Sequence, residues 1–232
     1  MDIKRFVPIA ILGIGLAAAI YFDVHKLLSF EAVGENYASL KAYIDEQYLV
    51  SLILFSIAYI LAVAFSIPGA SILSLLYGAL LGTIIGGTLI VVSATVGATL
   101  IFLAAKYALQ DTLRERAGPW LSKMRDGFKE NAFSYLMFLR LVPAFPFFVV
   151  NLVPAFMGVG LQTYILTTFL GIIPGTFIYA GIGSGIGYIL EQGKTPDLSV
   201  LSSPEVLLPL AALGLLSLVP ILYKKIKRSR AS

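Results

Sequence analysis

The chain has no cysteine and a single histidine among its 232 residues. The first absence excludes disulfides and thiolate-ligated metal sites, and His25, alone among loop residues, offers no ligand set. Charge is scarce as well: 13% of residues are charged and 58% are hydrophobic, with a mean hydropathy of +0.89. Soluble domains carry about 25% charged residues, so a soluble fold is excluded. Acidic residues are missing where they would matter most. None occurs between Glu46 and Asp111, or between Glu130 and Glu191. Carboxylate-based proton coupling inside a membrane therefore has no groups to use. Nor does any Ser/His/Asp or paired-carboxylate arrangement occur, so no enzyme activity, catalytic residue, metal or cofactor is expected.

What remains is apolar sequence. From Gln47 to Ala105 there is no charged side chain, far beyond the roughly 20 residues that cross a bilayer. The apolar stretches are 6–22, 49–67, 70–85, 86–107, 133–158, 161–188 and 205–223. The first follows Lys4 and Arg5 and reads as an uncleaved anchor, with no small-x-small site before Asp23. The pI near 9.2 reflects basic loops beside lipid rather than nucleic-acid binding.

Loop charge sets the topology. Segment 23–48 has two Lys/Arg and five acids, 106–130 has six basic residues, and KKIKRSR at 224–230 has five. The positive-inside rule puts both termini and the central segment in the cytoplasm, and 23–48 and 189–204 outside. The stretch 132–158 must then return to its own side. As helix it reaches only about 40 Å, whereas two crossings need about 60 Å. A re-entrant hairpin broken at Pro143 and Pro146, with arms near ten residues, fits. For 49–85, either a pair of spans or a hairpin turning at Ser66, Ile67, Pro68 and Gly69 satisfies the charges. A shift of 78 residues lays Pro146 on Pro68 and Gly175-Thr176 on Gly97-Ala98. The expected fold is thus an all-α integral membrane protein, an inverted repeat with two opposed re-entrant helical hairpins and about four transmembrane helices. Its parts are an anchor and external segment (1–48), the hairpin domain (49–190), and a C-terminal helix with basic tail (191–232).

Arg140 is the only charge within either hairpin. Such a residue faces a cavity or a partner, and its planar donors suit phosphate. Its partner could be a backbone carbonyl, water or an anionic ligand; alternatively it lies shallow and snorkels to the cytoplasmic face. The arms beginning near Pro68-Gly69 and Pro146 would point free N–H groups inward, favouring an anion. Ser66, Ser71, Ser74 and Asn151 add neutral hydrogen-bonding groups, although helix packing explains such serines as well, and Asn151 can satisfy an exposed backbone group at the tip. Pro174-Gly175 is a kink and a candidate hinge. GIGSGIG at 181–187 lies inside a span and reads as close helix packing, not a dinucleotide loop. Trp120, Leu121, Met124 and Phe128, interleaved with basic residues, suit an interfacial helix.

FSIPGASILSLLYGALLG (65–82), followed by a Gly-rich span ending in AAKYALQD, resembles the first half of the DedA superfamily domain, also called the VTT or SNARE-associated Golgi protein domain. RLVPAFPFFVVN (140–151) and TYILTTFLGIIPGTFIYAGIGSG (163–185) resemble its second half. The likeness covers roughly 49–190 and, with no acid at the first hairpin, is nearest the subgroup related to yeast vacuolar-transport proteins. It implies two opposed re-entrant hairpins and movement of a phospholipid or polyprenyl-phosphate lipid across a membrane, here the bacterial cytoplasmic membrane. Candidate lipid ligands are Arg140, Asn151, Ser66 and Ser71, with Pro68, Gly69, Pro143 and Pro146 shaping the tips. Flippase or scramblase activity is the first expectation. Transport of a small anion or other solute, or a non-transporting role in membrane assembly, are the alternatives. The oligomeric state is not legible.

Overall fold

A computed structural model describes residues 14, 21, 35–67, 69–116, 131–141, 145 and 147–192. They form helices and, among these residues, no strand. In chain order the helices are α1 (Tyr37–Glu46), α2 (Tyr48–Ala64), α3 (Ala70–Leu81), α4 (Thr83–Arg116), α5 (131–141), α6 (Phe147–Phe156) and α7 (Leu161–Glu191). The anchor at 6–22 (apart from residues 14 and 21), the basic segment after Arg116 with its expected interfacial helix, and the apolar stretch 205–223 lie outside the described residues.

Among the described residues, two helices are long and apolar enough to cross a membrane: 25 residues over Thr83–Tyr107 and 31 over Leu161–Glu191. A third candidate is α1 with α2, bent by 117° between Glu46 and Tyr48. The other apolar helices fall short of the roughly 20 residues a crossing requires. Helix α2 has 17, α3 has 12 and α6 has 10. The ten residues of α6 have the arm length expected within 132–158; α5 is described only over 131–141. Element starts also recur at a near-constant offset, 77 residues from Ala70 to Phe147 (147 − 70) and 78 from Thr83 to Leu161 (161 − 83).

Helix α2 packs on α4, whereas α3 packs chiefly on α7. Glycine sets the closeness of the second pair. A Cβ on Gly183 would collide with the Leu75 carbonyl, one on Gly78 with Ala180, and one on Gly187 with the Ala79 carbonyl. Without lipid-excluded water to drive association, such close backbone approach is how apolar helices gain dispersion energy. The buried centre contains Phe102, Leu136, Tyr164 and Ala180, all with no exposure.

Helix α1 closes the C-terminal end of α3. Tyr37 donates to the Ala79 carbonyl at 3.0 Å, and Lys41 to the Leu80 carbonyl at 3.2 Å. These belong to the last four carbonyls that a helix leaves without an internal partner, and Lys41 also suits the negative end of the α3 dipole. Burial, and then the Glu191 carboxylate 3.3 Å away, push the Tyr37 hydroxyl up to about 12. It keeps its proton and remains a donor.

Candidate functional site

At the first turn, α2 ends in a paired closure. The Ile67 N–H reaches the Ala62 carbonyl at 2.8 Å and the Ser66 N–H reaches Val63 at 2.9 Å, with Ser66 at φ 52°. This is the Schellman pattern, in which the residue past the helix normally is glycine. It consumes carbonyl acceptors at the end of α2. Helix α3 then starts from Gly69 at φ 108°, with no side-chain cap and no acid in its first turn. The Leu73 N–H bonds Gly69 at 3.1 Å, so the N–H groups of Ala70, Ser71 and Ile72 precede that bond. Among the described residues, carbonyls at the end of α2 are paired while the first N–H groups of α3 have no side-chain cap, the polarity that favours an anion.

Across from these donors lies Arg140. Both line one cavity of about 290 Å³, between the start of α3, the end of α5 and the middle of α7. Its wall includes Gly69, Ser71, Ser74, Arg140, Gly175 and Thr176 and, among the described residues, no carboxylate. Tyr59 also faces it, bonded to Ser74 Oγ at 3.0 Å, while Ser74 donates to the Ala70 carbonyl at 2.9 Å.

A neutral cage holds the guanidinium. Nη1 donates to Asn151 Oδ1 at 2.8 Å; Nη2 donates to Tyr164 Oη at 2.9 Å and Thr168 Oγ1 at 2.8 Å. Cζ lies 5.2 Å from the centre of the Tyr164 ring, within cation–π range. Arg140 Nε and Asn151 Nδ2 are buried, with no partner among the described residues. The positive charge thus has hydrogen-bond acceptors but no counter-charge in the cage, and it keeps a spare buried donor.

Depth follows from the helices. Tyr164 donates to the Ala98 carbonyl at 3.2 Å, nine residues before the end of the α4 span at Tyr107. Thr168 is seven residues past the start of α7. At 1.5 Å per residue these contacts lie about 10 to 13 Å along the helices from the ends of the two candidate spans.

Of the residues expected from sequence, Arg140, Ser71 and Gly69 line the cavity. Asn151 is fully buried and is a ligand of the arginine; its carbonyl oxygen goes to the guanidinium rather than to a backbone N–H at the tip. Ser66 is not on the cavity wall, and its buried hydroxyl has no partner among the described residues. Gly175 lines the cavity, and Pro174 sits within a continuous α7. Pro68, Pro143 and Pro146 lie outside the described residues.

Sequence reasoning passed over Tyr164, Thr168 and Gly171. A Cβ at Gly171 would fall 2.7 Å from Arg140 Cβ, so the arginine stem needs glycine there. The spacing of these three, four and then three residues, puts them on one face of α7. A stripe of polar and small residues within an apolar helix was the available signal.

The VTT domain family model matches residues 67–185. The chain is 33% identical over 189 residues to a transmembrane protein 41 homolog of Dictyostelium discoideum, covering 80% of this chain and 55% of that protein. A Caenorhabditis elegans transmembrane protein 41 homolog is 32% identical over 194 residues, with coverages of 80% and 74%. Transmembrane protein 41B of Danio rerio is 29% identical over 190 residues, with coverages of 80% and 65%. The chain thus spans between about half and three quarters of the lengths of these relatives. No solved structure matches it.

Proposed function

The chain belongs to the VTT-domain family of membrane proteins, and from that premise we propose that it moves phosphate-bearing lipids between leaflets. In this reading α2–α3 and α5–α6 are opposed re-entrant hairpins of an inverted repeat, entering from outside and from the cytoplasm. Both termini are cytoplasmic, and the membrane is the bacterial inner membrane. The short arms, the recurring offset of 77 to 78 residues and the loop charges support that arrangement.

One observation carries the functional reading: one cavity joins the start of α3, which has no side-chain cap, to an arginine with no counter-charge among the described residues. A phosphodiester crossing the apolar layer loses its hydration, and its charge is costly there. Arg140 supplies a charge-assisted donor, and the α3 terminus supplies backbone N–H groups, without proton transfer. The acyl chains would remain in lipid beside the groove. With no carboxylate on the cavity wall among the described residues, movement in this reading is downhill, as in a scramblase, rather than tightly proton-coupled. The protein is a transporter and not an enzyme on this reading.

Purified protein in phosphatidylcholine vesicles containing a fluorescent phosphatidylglycerol is expected to expose inner-leaflet probe to an external quencher. Arg140→Ala is expected to abolish most of this exchange while remaining folded. Folded wild-type protein that exchanges no lipid, with several headgroups tried, sinks the proposal. Saturable uptake of inorganic phosphate without lipid exchange would support transport of a small anion instead.

A further inference from the structure

An arginine about 10 Å in from the ends of two apolar helices has somewhere better to go. Long basic side chains near helix ends extend toward the membrane surface, where the head regains water. Something must therefore hold Arg140 on the cavity wall, and the chemistry around Tyr164 shows how. Tyr164 has no exposure. Its ring stacks on Phe102 at 4.1 Å between centroids and 20° between planes, which fixes the plane. Its hydroxyl meets Arg140 Nη2 at 2.9 Å, the Ala98 carbonyl at 3.2 Å and Asn151 Oδ1 at 3.3 Å.

A phenol has one hydrogen, and a guanidinium can only donate. Toward Arg140, then, the hydroxyl oxygen must be the acceptor. Its hydrogen is left for the Ala98 carbonyl at 3.2 Å or for Asn151 Oδ1 at 3.3 Å, the latter also accepting from Arg140 Nη1. With its hydrogen taken there, the hydroxyl keeps a lone pair directed at Nη2, while the ring face attracts Cζ from 5.2 Å. One side chain thus serves the cation twice and ties α7 to α4, α5 and α6.

We propose that Tyr164 is the positioning residue of the site, its hydroxyl restraining the Arg140 guanidinium on the cavity wall against the pull of the membrane surface. Thr168 and Asn151 complete the restraint from either side. This rests on the lipid-exchange reading for its functional consequence, but not for its geometry. Removing the hydroxyl lets the guanidinium swing outward, and the cavity loses its charge without losing the arginine.

Tyr164→Phe keeps the ring and its stack on Phe102 and removes only the hydroxyl. Two readouts test it. In vesicles with a graded fraction of fluorescent phosphatidylglycerol, the half-saturating fraction is expected to rise about tenfold or more, the loss associated with one hydrogen bond to a charged group. In the same preparation, modification of Arg140 by a water-soluble dicarbonyl reagent, read on its peptide by mass spectrometry, is expected to rise several-fold. A merely structural tyrosine would lower the unfolding temperature and maximal rate while leaving half-saturation and Arg140 reactivity at wild-type values; that result overturns the proposal. Should Tyr164→Phe not fold, Thr168→Val undergoes both measurements, with the same directions expected and unchanged values again overturning it. If wild-type protein exchanges no lipid, the lipid reading fails, and the dicarbonyl comparison still decides the role of Tyr164.

Discussion

Gly171→Ala tests the site through a single methyl group. The Cβ it adds would lie 2.7 Å from Arg140 Cβ, 3.3 Å from Cγ and 3.4 Å from Met137 Sδ. Restoring an ordinary contact of 3.4 Å moves the arginine stem, or α7 itself, by at least 0.7 Å (3.4 − 2.7). The stem is the root of a long side chain, so displacement grows toward the guanidinium. Bonds of 2.8 to 2.9 Å to Asn151, Tyr164 and Thr168 then stretch out of the favourable range. Overpacking of this kind costs about 1–3 kcal/mol of stability, and misplacing a functional group by about 1 Å can cost on the order of a hundredfold in rate. We expect exchange of fluorescent phosphatidylglycerol to fall between about tenfold and a hundredfold, with a modest drop in the unfolding midpoint. Gly185→Ala is the control, since nothing lies within 4 Å of its added Cβ on the same helix. Gly171→Ala exchanging within twofold of both wild type and Gly185→Ala would refute the claim that Arg140 must sit where it does.

Three other outcomes are expected. Ser66 holds a left-handed φ of 52° where glycine is customary, so Ser66→Gly should stabilise the protein by about 1 kcal/mol in chemical unfolding; unchanged exchange would remove Ser66 from the lipid ligands. Gly183→Ala drives a methyl into the Leu75 carbonyl, and size-exclusion of the detergent-solubilised variant should show aggregated or unfolded protein, whereas a monodisperse wild-type profile would contradict the close α3–α7 seam. Because the chain has no cysteine, single cysteines at Asn36 and Gly118 report topology cleanly. Labelling of both from one side of the membrane would overturn the two-hairpin arrangement.

Chain length and charge made much of the fold readable. The break expected in 132–158 came from arithmetic, because too few residues are present for two crossings, and the ten residues of α6 are short enough for that reading. Arg140 was legible for a related reason: an isolated charge in an apolar run must be accounted for. Its cage was not. Asn151, Tyr164 and Thr168 lie 11, 24 and 28 residues further along the chain, on two other helices, and only the fold brings them together. Tyr164 in TYILTTFLG reads locally as one more bulky apolar filler. Gly171 reads as one of many membrane glycines until the stem of Arg140 is seen crossing it.

The neutrality of the cage bears on the mechanism more than the arginine alone does. Had a carboxylate paired with Arg140, an incoming phosphate would have to displace a counter-ion, and that carboxylate would be left buried and charged. The alternative would be to protonate it, which couples transport to protons. Asn151, Tyr164 and Thr168 instead satisfy the geometry of the guanidinium and leave its net charge intact. A ligand can therefore add itself to the site without breaking an ion pair, and can leave without a proton having moved. Depth sharpens the point. If the candidate spans are the membrane crossings proposed, the charge at about 10 to 13 Å from their ends acts where a headgroup has lost its water, yet is reached from one surface. The α3 terminus, on the other side of the same cavity, contributes backbone donors rather than a second full charge. Two full charges would bind an anion tightly and hinder release; one charge opposite a helix terminus favours passage. On this reasoning, an acid placed in the cage, Thr168→Asp, should neutralise Arg140 and abolish phosphatidylglycerol exchange at neutral pH. Exchange at the wild-type rate in that folded variant would mean that the arginine's charge is not what the lipid meets.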